Sequence, residues 1–164
     1  MERPTWDEYF ITIARLTSKR SNCLKRRVGC VIVKDNRILS LGYNGTPRGT
    51  KNCFEGGCSR CAEVIESGNQ LDMCMCLHAE ENALLYVGQR ELQNSTLYVS
   101  LMPCVGCVKK IIQCGIKRIV YIENYHADLD KLGKDLLGNC GIEVFQIGEV
   151  WTKVCLKKWK RIMG

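Results

Sequence analysis

The sequence is poor in histidine and in aromatic residues, and it has no long apolar segment. Only 2 of its 164 residues are histidines, and aromatic residues make up 7%. No apolar run approaches the roughly 20 residues that a membrane-spanning helix needs. Met1–Thr5 is polar, whereas a secretory signal requires an apolar stretch. We therefore expect a soluble protein of the cytoplasm, or of the host cytoplasm if the source is viral, with no membrane partner.

The length and the overall composition are those of one globular domain. A chain of 164 residues can bury a core without disulfide support, and its 46% hydrophobic and 25% charged content is ordinary for a folded protein. This composition excludes a disordered or collagen-like chain. We predict a single domain over residues 1–164 with a cysteine-rich insert at about 44–76.

Cysteine, in contrast, is abundant. The chain has 12 cysteines, and six of them form the short-spaced pairs Cys58/Cys61, Cys74/Cys76 and Cys104/Cys107. In a chain without a secretory signal, such pairs indicate metal binding rather than a disulfide framework. Four others stand singly among apolar neighbours, and we expect them in the core: Cys30, Cys114, Cys140 and Cys155.

The formal charge of +7 is concentrated in two basic groups, at 19–27 and at 153–161. Such a charge favours either a nucleic-acid surface or a pocket for an anionic small molecule. In the second group the apolar residues Trp151, Val154 and Trp159 recur at helical spacing, so we predict an amphipathic helix there.

Hydrophobic periodicity and turn residues predict an α/β fold. A helix over 6–18 precedes a hairpin of strands 28–33 and 37–43. The remaining predicted elements are a helix over 78–87, a strand over 96–101, a helix over 104–114, a strand over 118–122, a helix over 129–137 and a strand over 143–147. Strands separated by single helices indicate right-handed crossovers and a mostly parallel sheet in that half of the chain. We therefore predict a three-layer α/β/α sandwich with a mixed five-stranded sheet, antiparallel in the N-terminal hairpin and parallel in the C-terminal half.

Two short motifs carry residues suited to metal chemistry. His78-Ala79-Glu80 opens one predicted helix, and Pro103-Cys104-Val105-Gly106-Cys107 opens another directly after a strand. One imidazole and two thiolates form a three-ligand zinc set whose fourth position stays open for water, as in catalytic sites. Zinc lowers the pKa of such a water toward about 7. Glu80, two residues after the histidine, is placed to take up its proton.

These motifs match the H-x-E…P-C-x-x-C signature of zinc-dependent nucleobase deaminases. From about residue 6 to 147 the chain resembles the deoxycytidylate (dCMP) deaminases within the cytidine/deoxycytidylate deaminase superfamily. The resemblance is carried by the segments 6–10, 42–47, 77–83 and 115–118, and the cysteine-rich insert is similar to that of fungal-type members. It implies a cytidine-deaminase-like fold.

The resemblance also implies the reaction and part of the pocket. The expected reaction is hydrolytic removal of the 4-amino group of dCMP, which gives dUMP and ammonia, with Glu80 moving the proton. In the family, the backbone at the position of Ala79 contacts the base, Asn44 matches an asparagine that contacts the sugar hydroxyl, and Tyr125 matches a tyrosine near the nucleotide. From the sequence itself, Arg26 or Arg27 is the candidate partner of the 5′-phosphate.

A second, structural zinc is expected in the insert, because a glycine-rich segment with few aliphatic side chains has little else to order it. Some relatives carry such a zinc, and Cys23 and Cys53 resemble two of its ligands. Our preferred ligand set is Cys23, Cys53, Cys58 and Cys74, with Cys61 or Cys76 as substitutes.

The resemblance further implies a homohexamer that dCTP activates and dTTP inhibits, with Mg²⁺ accompanying the triphosphate. The effector loop of the family resembles residues 42–49, and Tyr43, Asn44 and Gly45 are the expected effector-binding residues.

Four other functions compete with this interpretation. The substrate could be dCTP as well as dCMP, a free nucleoside or pterin-like base, or a base in RNA or single-stranded DNA. The few aromatic residues do not interleave with the basic groups, so a nucleic-acid partner is the weaker hypothesis. The chain could also be a zinc-stabilised interaction module, but a His-Cys-Cys set without a fourth protein ligand argues against a purely structural site.

Overall fold

The computed structural model describes residues 3–63 and 73–148. The helix predicted near the C-terminus, with Cys155, lies outside the described residues. The helices are α1 (Trp6–Thr17), α2 (Ser59–Ala62), α3 (Ala79–Leu84), α4 (Gln89–Leu92), α5 (Val105–Gln113) and α6 (Ala127–Asn139). The strands are β1 (Gly29–Lys34), β2 (Arg37–Tyr43), β3 (Thr96–Leu101), β4 (Arg118–Glu123) and β5 (Glu143–Gln146).

The five strands form one mixed sheet in the order β2-β1-β3-β4-β5. β1 pairs antiparallel with β2 and β3, whereas β3, β4 and β5 pair in parallel. Asp35 and Asn36 join β1 to β2 with φ angles of 50° and 59°, and this left-handed pair is the geometry that a two-residue hairpin turn requires. The predicted mixed sheet, with its antiparallel hairpin and parallel half, is confirmed.

Helices cover both faces of the sheet. On one face, Phe10, Ile11 and Ala14 of α1 pack against buried residues of β1, β3 and β4. On the other, the buried sides of α3, α5 and α6 form a larger core with the opposite faces of the same strands. Strand residues that alternate between two apolar cores give the three-layer arrangement that the sequence predicts.

The structure departs from the sequence prediction at a few points. The short helices α2 and α4 were not expected, since four residues carry too little periodicity to predict a helix. Cys140, expected in the core, is exposed, because the chain leaves α6 there and turns toward β5. Cys30 is buried and Cys114 packs against the core. Among residues 3–63 and 73–148, no helix combines the length and apolar character needed to cross a membrane.

Gly42 fixes how closely α3 approaches the sheet. A Cβ atom at this position would collide with the backbone carbonyl of Ala79 and the backbone nitrogen of Ala83. The absence of a side chain therefore lets α3 lie directly on β2. This contact positions the first turn of α3, which carries Glu80 and follows His78.

Candidate metal centre and its pocket

The two motifs meet at the N-termini of two helices. His78 is the residue before α3, Cys104 is the residue before α5, and Cys107 lies in the first turn of α5. The Nδ1 atom of His78 lies 3.5 Å from Sγ of Cys104 and 3.4 Å from Sγ of Cys107. The three ligand atoms all lie within 4.8 Å of one another. The spacing read from the sequence therefore brings these side chains together.

This arrangement fits a zinc ion. With zinc–nitrogen and zinc–sulfur bonds of about 2.0 and 2.3 Å, the nitrogen-to-sulfur edge of a tetrahedron is about 3.5 Å long. Both separations from Nδ1 match that edge. Three protein ligands leave the fourth tetrahedral position for a water or a substrate.

The electrostatics of the three ligands also favour a cation. The hydrogen bond from Cys107 lowers the pKa of Cys104 to about 4, since it stabilises the thiolate. That thiolate raises the pKa of His78 to about 9. A metal ion bound here would replace the imidazole proton as the positive partner of the thiolate.

Glu80 is the one carboxylate that lines the adjoining pocket, among the residues described. It is 4% exposed, and burial raises its pKa to about 7. Its charge also raises the pKa of Cys30, although burial is the larger cause. A carboxyl group with this pKa exchanges its proton readily near neutral pH, as a general acid and base must.

Glu81, which the sequence reasoning did not single out, links the two helix N-termini. Its Oε2 accepts a hydrogen bond of 2.8 Å from the backbone N–H of His78, and its Oε1 pairs with Nζ of Lys110 on α5. One carboxylate therefore holds the histidine ligand and the helix that carries the cysteine ligands. The capping-box spacing between His78 and Glu81 is the sequence signal for this contact.

The pocket has an apolar wall and a cationic side. Val28, Leu101 and Met102 supply apolar surface next to His78 and Ala79. The predicted residues Asn44, Arg26 and Tyr125 also line it. Arg27 instead lines a neighbouring depression with Arg15 and Lys19. The structure thus brings all the predicted substrate residues except Arg27 to this pocket.

Asn44 is held rigidly at the pocket wall. Its Oδ1 accepts hydrogen bonds from the backbone N–H of Val28 at 2.8 Å and from Oγ of Ser21 at 2.7 Å. Its Nδ2 donates to the carbonyl of Arg26 at 2.8 Å. The side chain therefore ties the loop after β2 to the start of β1, and one N–H of its amide group remains available for a ligand.

Among the described residues, Lys25, Arg26 and Arg60 bring cationic side chains to the same pocket. Arg26 lies over the ring of Tyr125, with its guanidinium carbon 5.4 Å from the ring centre. The backbone N–H of Tyr125 donates to the buried Asp130 at 2.6 Å, which fixes the loop that carries the ring. Lys25 and Arg60 were missed by the sequence reasoning. Lys25 belonged to the basic group already noted, whereas nothing local to Arg60 indicated that α2 brings it here.

The predicted effector residues lie beside the metal ligands. Gly45 and Leu77 exchange backbone hydrogen bonds of 3.2 and 2.9 Å, and Leu77 directly precedes His78. The carbonyl of Tyr43 accepts a 2.7 Å hydrogen bond from Nδ2 of Asn82 on α3. The loop at 43–45 is therefore joined to both ends of the segment that carries His78 and Glu80.

A second group of thiols, which we call the cysteine cluster, lies beside the pocket. It consists of Cys23, Cys53, Cys58, Cys61, Cys74 and Cys76. Overlapping groups of three sulfurs within 4.8 Å of one another run through all six. The cluster contains all four cysteines preferred from the sequence. It also contains Cys61 and Cys76, whose sulfurs belong to the same overlapping groups.

The fold and the site together define a class: α/β/α proteins with a His-Cys-Cys metal centre and a buried glutamate beside it. Residues 4–123 match the family model of the cytidine and deoxycytidylate deaminase zinc-binding region. The chain belongs to this family of zinc-binding deaminase domains.

Comparisons with individual proteins agree with this assignment. The chain is 51% identical over 145 residues to a deoxycytidylate deaminase of Schizosaccharomyces pombe, covering 88% of this chain and 44% of the relative. It is 50% identical over 145 residues to that of Saccharomyces cerevisiae, covering 88% of this chain and 45% of the relative. The chain thus spans less than half the length of these two relatives.

A solved structure of the dCMP deaminase of cyanophage S-TIM5, in complex with dCMP and dUMP, has a similar fold. It is 33% identical and superposes with a TM-score of 0.69, over 90% of this chain and all of the phage chain.

Proposed function

We propose that this chain catalyses the hydrolytic deamination of dCMP to dUMP and ammonia. The observation that carries the proposal is the His78, Cys104 and Cys107 group with the buried Glu80 in one pocket. The names of the two yeast relatives and of the cyanophage enzyme point to the same reaction.

Glu80 performs the proton transfers. His78, Cys104 and Cys107 would hold a zinc ion, which would act as a Lewis acid and lower the pKa of a water toward about 7. Glu80 accepts the proton of the water that adds to C4 of the cytosine, and delivers it to N3. It then takes up the remaining proton of the hydroxyl added at C4 and delivers it to the 4-amino group, so that the C4–N bond breaks, ammonia leaves and the C4 carbonyl of dUMP forms. Burial of Glu80 supports this role because it raises the pKa of the carboxyl to about 7.

The pocket supports a nucleoside monophosphate as substrate. Val28, Leu101 and Met102 offer apolar surface for a base. The backbone of Ala79 and the spare amide N–H of Asn44 offer polar contacts to the base and the sugar. Lys25, Arg26 and Arg60 supply positive charge for a phosphate at the cationic side. Arg27, outside this pocket, is the weaker candidate for that role.

The test is ammonia release from dCMP by the purified protein, beside Glu80→Ala, with zinc content measured on the same samples. We expect activity in the wild type and loss of activity in the variant while its zinc content is unchanged. A wild type inactive toward dCMP, with or without dCTP, would overturn the proposal. Parallel assays with deoxycytidine, dCTP and a cytosine-containing oligonucleotide distinguish the alternative substrates.

Regulation and assembly belong to the same proposal. We expect a homohexamer whose activity rises with dCTP and Mg²⁺ and falls with dTTP. The hydrogen bonds that join the loop at 43–45 to Leu77 and Asn82 support the regulation by triphosphates. A ligand bound on this loop would act directly on the segment that bears His78. Sedimentation and dCMP saturation curves with each triphosphate test both expectations.

A structural zinc in the cysteine cluster and a cytoplasmic location complete the proposal. The described cysteines are free thiols, which a reducing compartment preserves. Zinc content per chain tests the structural zinc, and fluorescence microscopy of a tagged chain tests the cytoplasmic location.

A further inference from the structure

The cysteine cluster holds more ligands than one tetrahedral zinc ion uses. Its buried members are all cysteines, and the half-buried residue packed against them, Cys74, is another. A structural zinc site takes four ligands. A single ion would therefore leave two thiols buried against its thiolates, without a role.

The sulfur positions do not divide into a set of four and a separate pair. Among the described residues, mutually close sulfurs form the groups Cys23/Cys53/Cys61, Cys53/Cys58/Cys76 and Cys58/Cys61/Cys74. Each of Cys53, Cys58 and Cys61 belongs to two of these groups, so every two groups have one cysteine in common. In a tetrahedral zinc site the sulfurs are about 3.8 Å apart, and the sulfurs within each of these groups lie within 4.8 Å of one another.

We propose that the cysteine cluster binds two zinc ions that share two bridging thiolates. This rests on the proposed structural zinc in the cluster and extends it from one ion to two. Two ions that each need four ligands can be satisfied by six thiolates only when two of the six bridge both ions. In that arrangement every buried thiol of the cluster is a ligand.

Cys53 and Cys58 are the bridging ligands. Both have no exposed surface, whereas Cys23, Cys61 and Cys76 are each 7% exposed. Their sulfurs lie within 4.8 Å of each other, and the sulfur of every other cysteine of the cluster lies within 4.8 Å of at least one of them. A bridging position is the centre of a binuclear site, where burial is greatest.

The surroundings of the cluster suit its charge. Six thiolates and two zinc ions carry a net charge of about −2. The backbone N–H groups of Lys25 and Arg26 donate to the sulfur of Cys23, and the guanidinium of the buried Arg60 acts on Cys74. Such donors and cations stabilise thiolates over thiols.

The first test counts zinc per chain by mass spectrometry of the purified protein. We expect about three ions, one at the His78 site and two in the cluster. About two ions would overturn the binuclear cluster and leave the single structural zinc intact. About one ion would overturn both.

Substitutions distinguish a two-ion cluster with six cysteine ligands from a one-ion site with four. Cys61→Ser and Cys76→Ser should each lower the zinc content by about one ion, because each removes a terminal ligand. With a single ion on Cys23, Cys53, Cys58 and Cys74, neither change would lower it. Cys140→Ser, at an exposed cysteine outside the cluster, is the matched control.

Cadmium NMR tests the bridges without any substitution. In the ¹¹³Cd-exchanged wild type we expect two cluster resonances coupled to each other through a shared sulfur. A single cluster resonance, or two without coupling, would overturn the proposal.

Discussion

The molecule contains two thiol sites that differ in ligands, support and access. The His78 site combines one imidazole with two thiols, borders a pocket and has a buried carboxylate beside it. The cysteine cluster has thiols alone, and most of them are buried. The number of protein ligands separates the two roles, because a site closed by protein atoms cannot admit a substrate whereas a three-ligand site can.

The two sites also differ in what holds them in place. His78, Cys104 and Cys107 are fixed by two helix N-termini that pack on the sheet through the main core. The cysteine cluster gathers irregular segments and the short helix α2, and its members pack on one another. The first site is preorganised by the fold, whereas the second, if it binds zinc as proposed above, takes its order from that metal.

The cysteine cluster nevertheless contributes to the pocket. Lys25 and Arg26 follow Cys23, Arg60 lies between Cys58 and Cys61, and His78 comes two residues after Cys76. All four of these residues line the pocket. Order in the cluster therefore determines where the cationic side of the pocket lies.

The largest effect expected from this contrast is on the chemical step at the His78 site. Glu80→Gln should lower kcat by about 10²- to 10⁴-fold, since general acid–base catalysis contributes that much. Zinc content and melting temperature should stay close to those of the wild type, because the amide is nearly isosteric. Steady-state ammonia release measures kcat, and calorimetry measures the melting temperature. A variant with near-normal kcat would remove Glu80 from the reaction.

The second effect is on stability, at the cysteine cluster. Cys53→Ser should lower the free energy of unfolding by several kcal/mol, since zinc binding at a structural site contributes directly to folding. Cys104→Ser should abolish activity with a smaller loss of stability, because α5 and the core keep that site together. Thermal unfolding of both variants, with zinc counted, tests this. Equal losses of stability would contradict the difference in support.

The same contrast explains what could be predicted from the sequence. The sheet, the helix entry at Cys104 and the His78 group follow from local periodicity and fixed spacings, and they were predicted nearly residue by residue. Arg60 and Lys25 at the pocket were not predicted, and Cys61 and Cys76 were predicted only as substitutes for the four preferred cysteines rather than as further members of the cluster. Their positions depend on contacts between distant, non-periodic segments, which a linear pattern of hydrophobicity does not encode. The prediction that Cys140 lies in the core was wrong for a related reason, because apolar neighbours in the sequence do not ensure burial.

Substrate recognition gives the third expected effect. Arg60→Ala should raise KM for dCMP about tenfold or more, since hydrogen bonds to charged groups are worth about 1.5–3 kcal/mol. Turnover of deoxycytidine, which lacks the phosphate, should change little. Arg60→Lys retains the charge and should recover part of the loss, which separates a lost phosphate contact from a fold defect.

Arg27→Ala is the matched control for this experiment. Its exposed side chain borders the neighbouring depression rather than the pocket, so KM for dCMP should stay the same. If Arg27→Ala raised KM more than Arg60→Ala, the phosphate would have to bind on the other side of Arg26.

The fourth expected effect concerns Glu81, which supports the His78 site from outside its ligand set. Glu81→Ala removes both the acceptor for the backbone N–H of His78 and the ion pair with Lys110. Loss of a group that orients a metal ligand typically costs about 10- to 100-fold in activity or metal affinity. Glu81→Gln keeps an acceptor oxygen and loses only the charge. The ion pair is worth little by itself, because Lys110 is 54% exposed and solvent screens it.

The comparison of these variants assigns the effect to one of the two contacts. We expect kcat and zinc affinity to fall about tenfold or more in Glu81→Ala. In Glu81→Gln and in Lys110→Gln, kcat and zinc affinity should fall a few-fold at most. Competition with a chromophoric chelator measures the zinc affinity. Equal losses in Glu81→Gln and Glu81→Ala would mean that the ion pair to α5, and not the cap on His78, holds the ligands together.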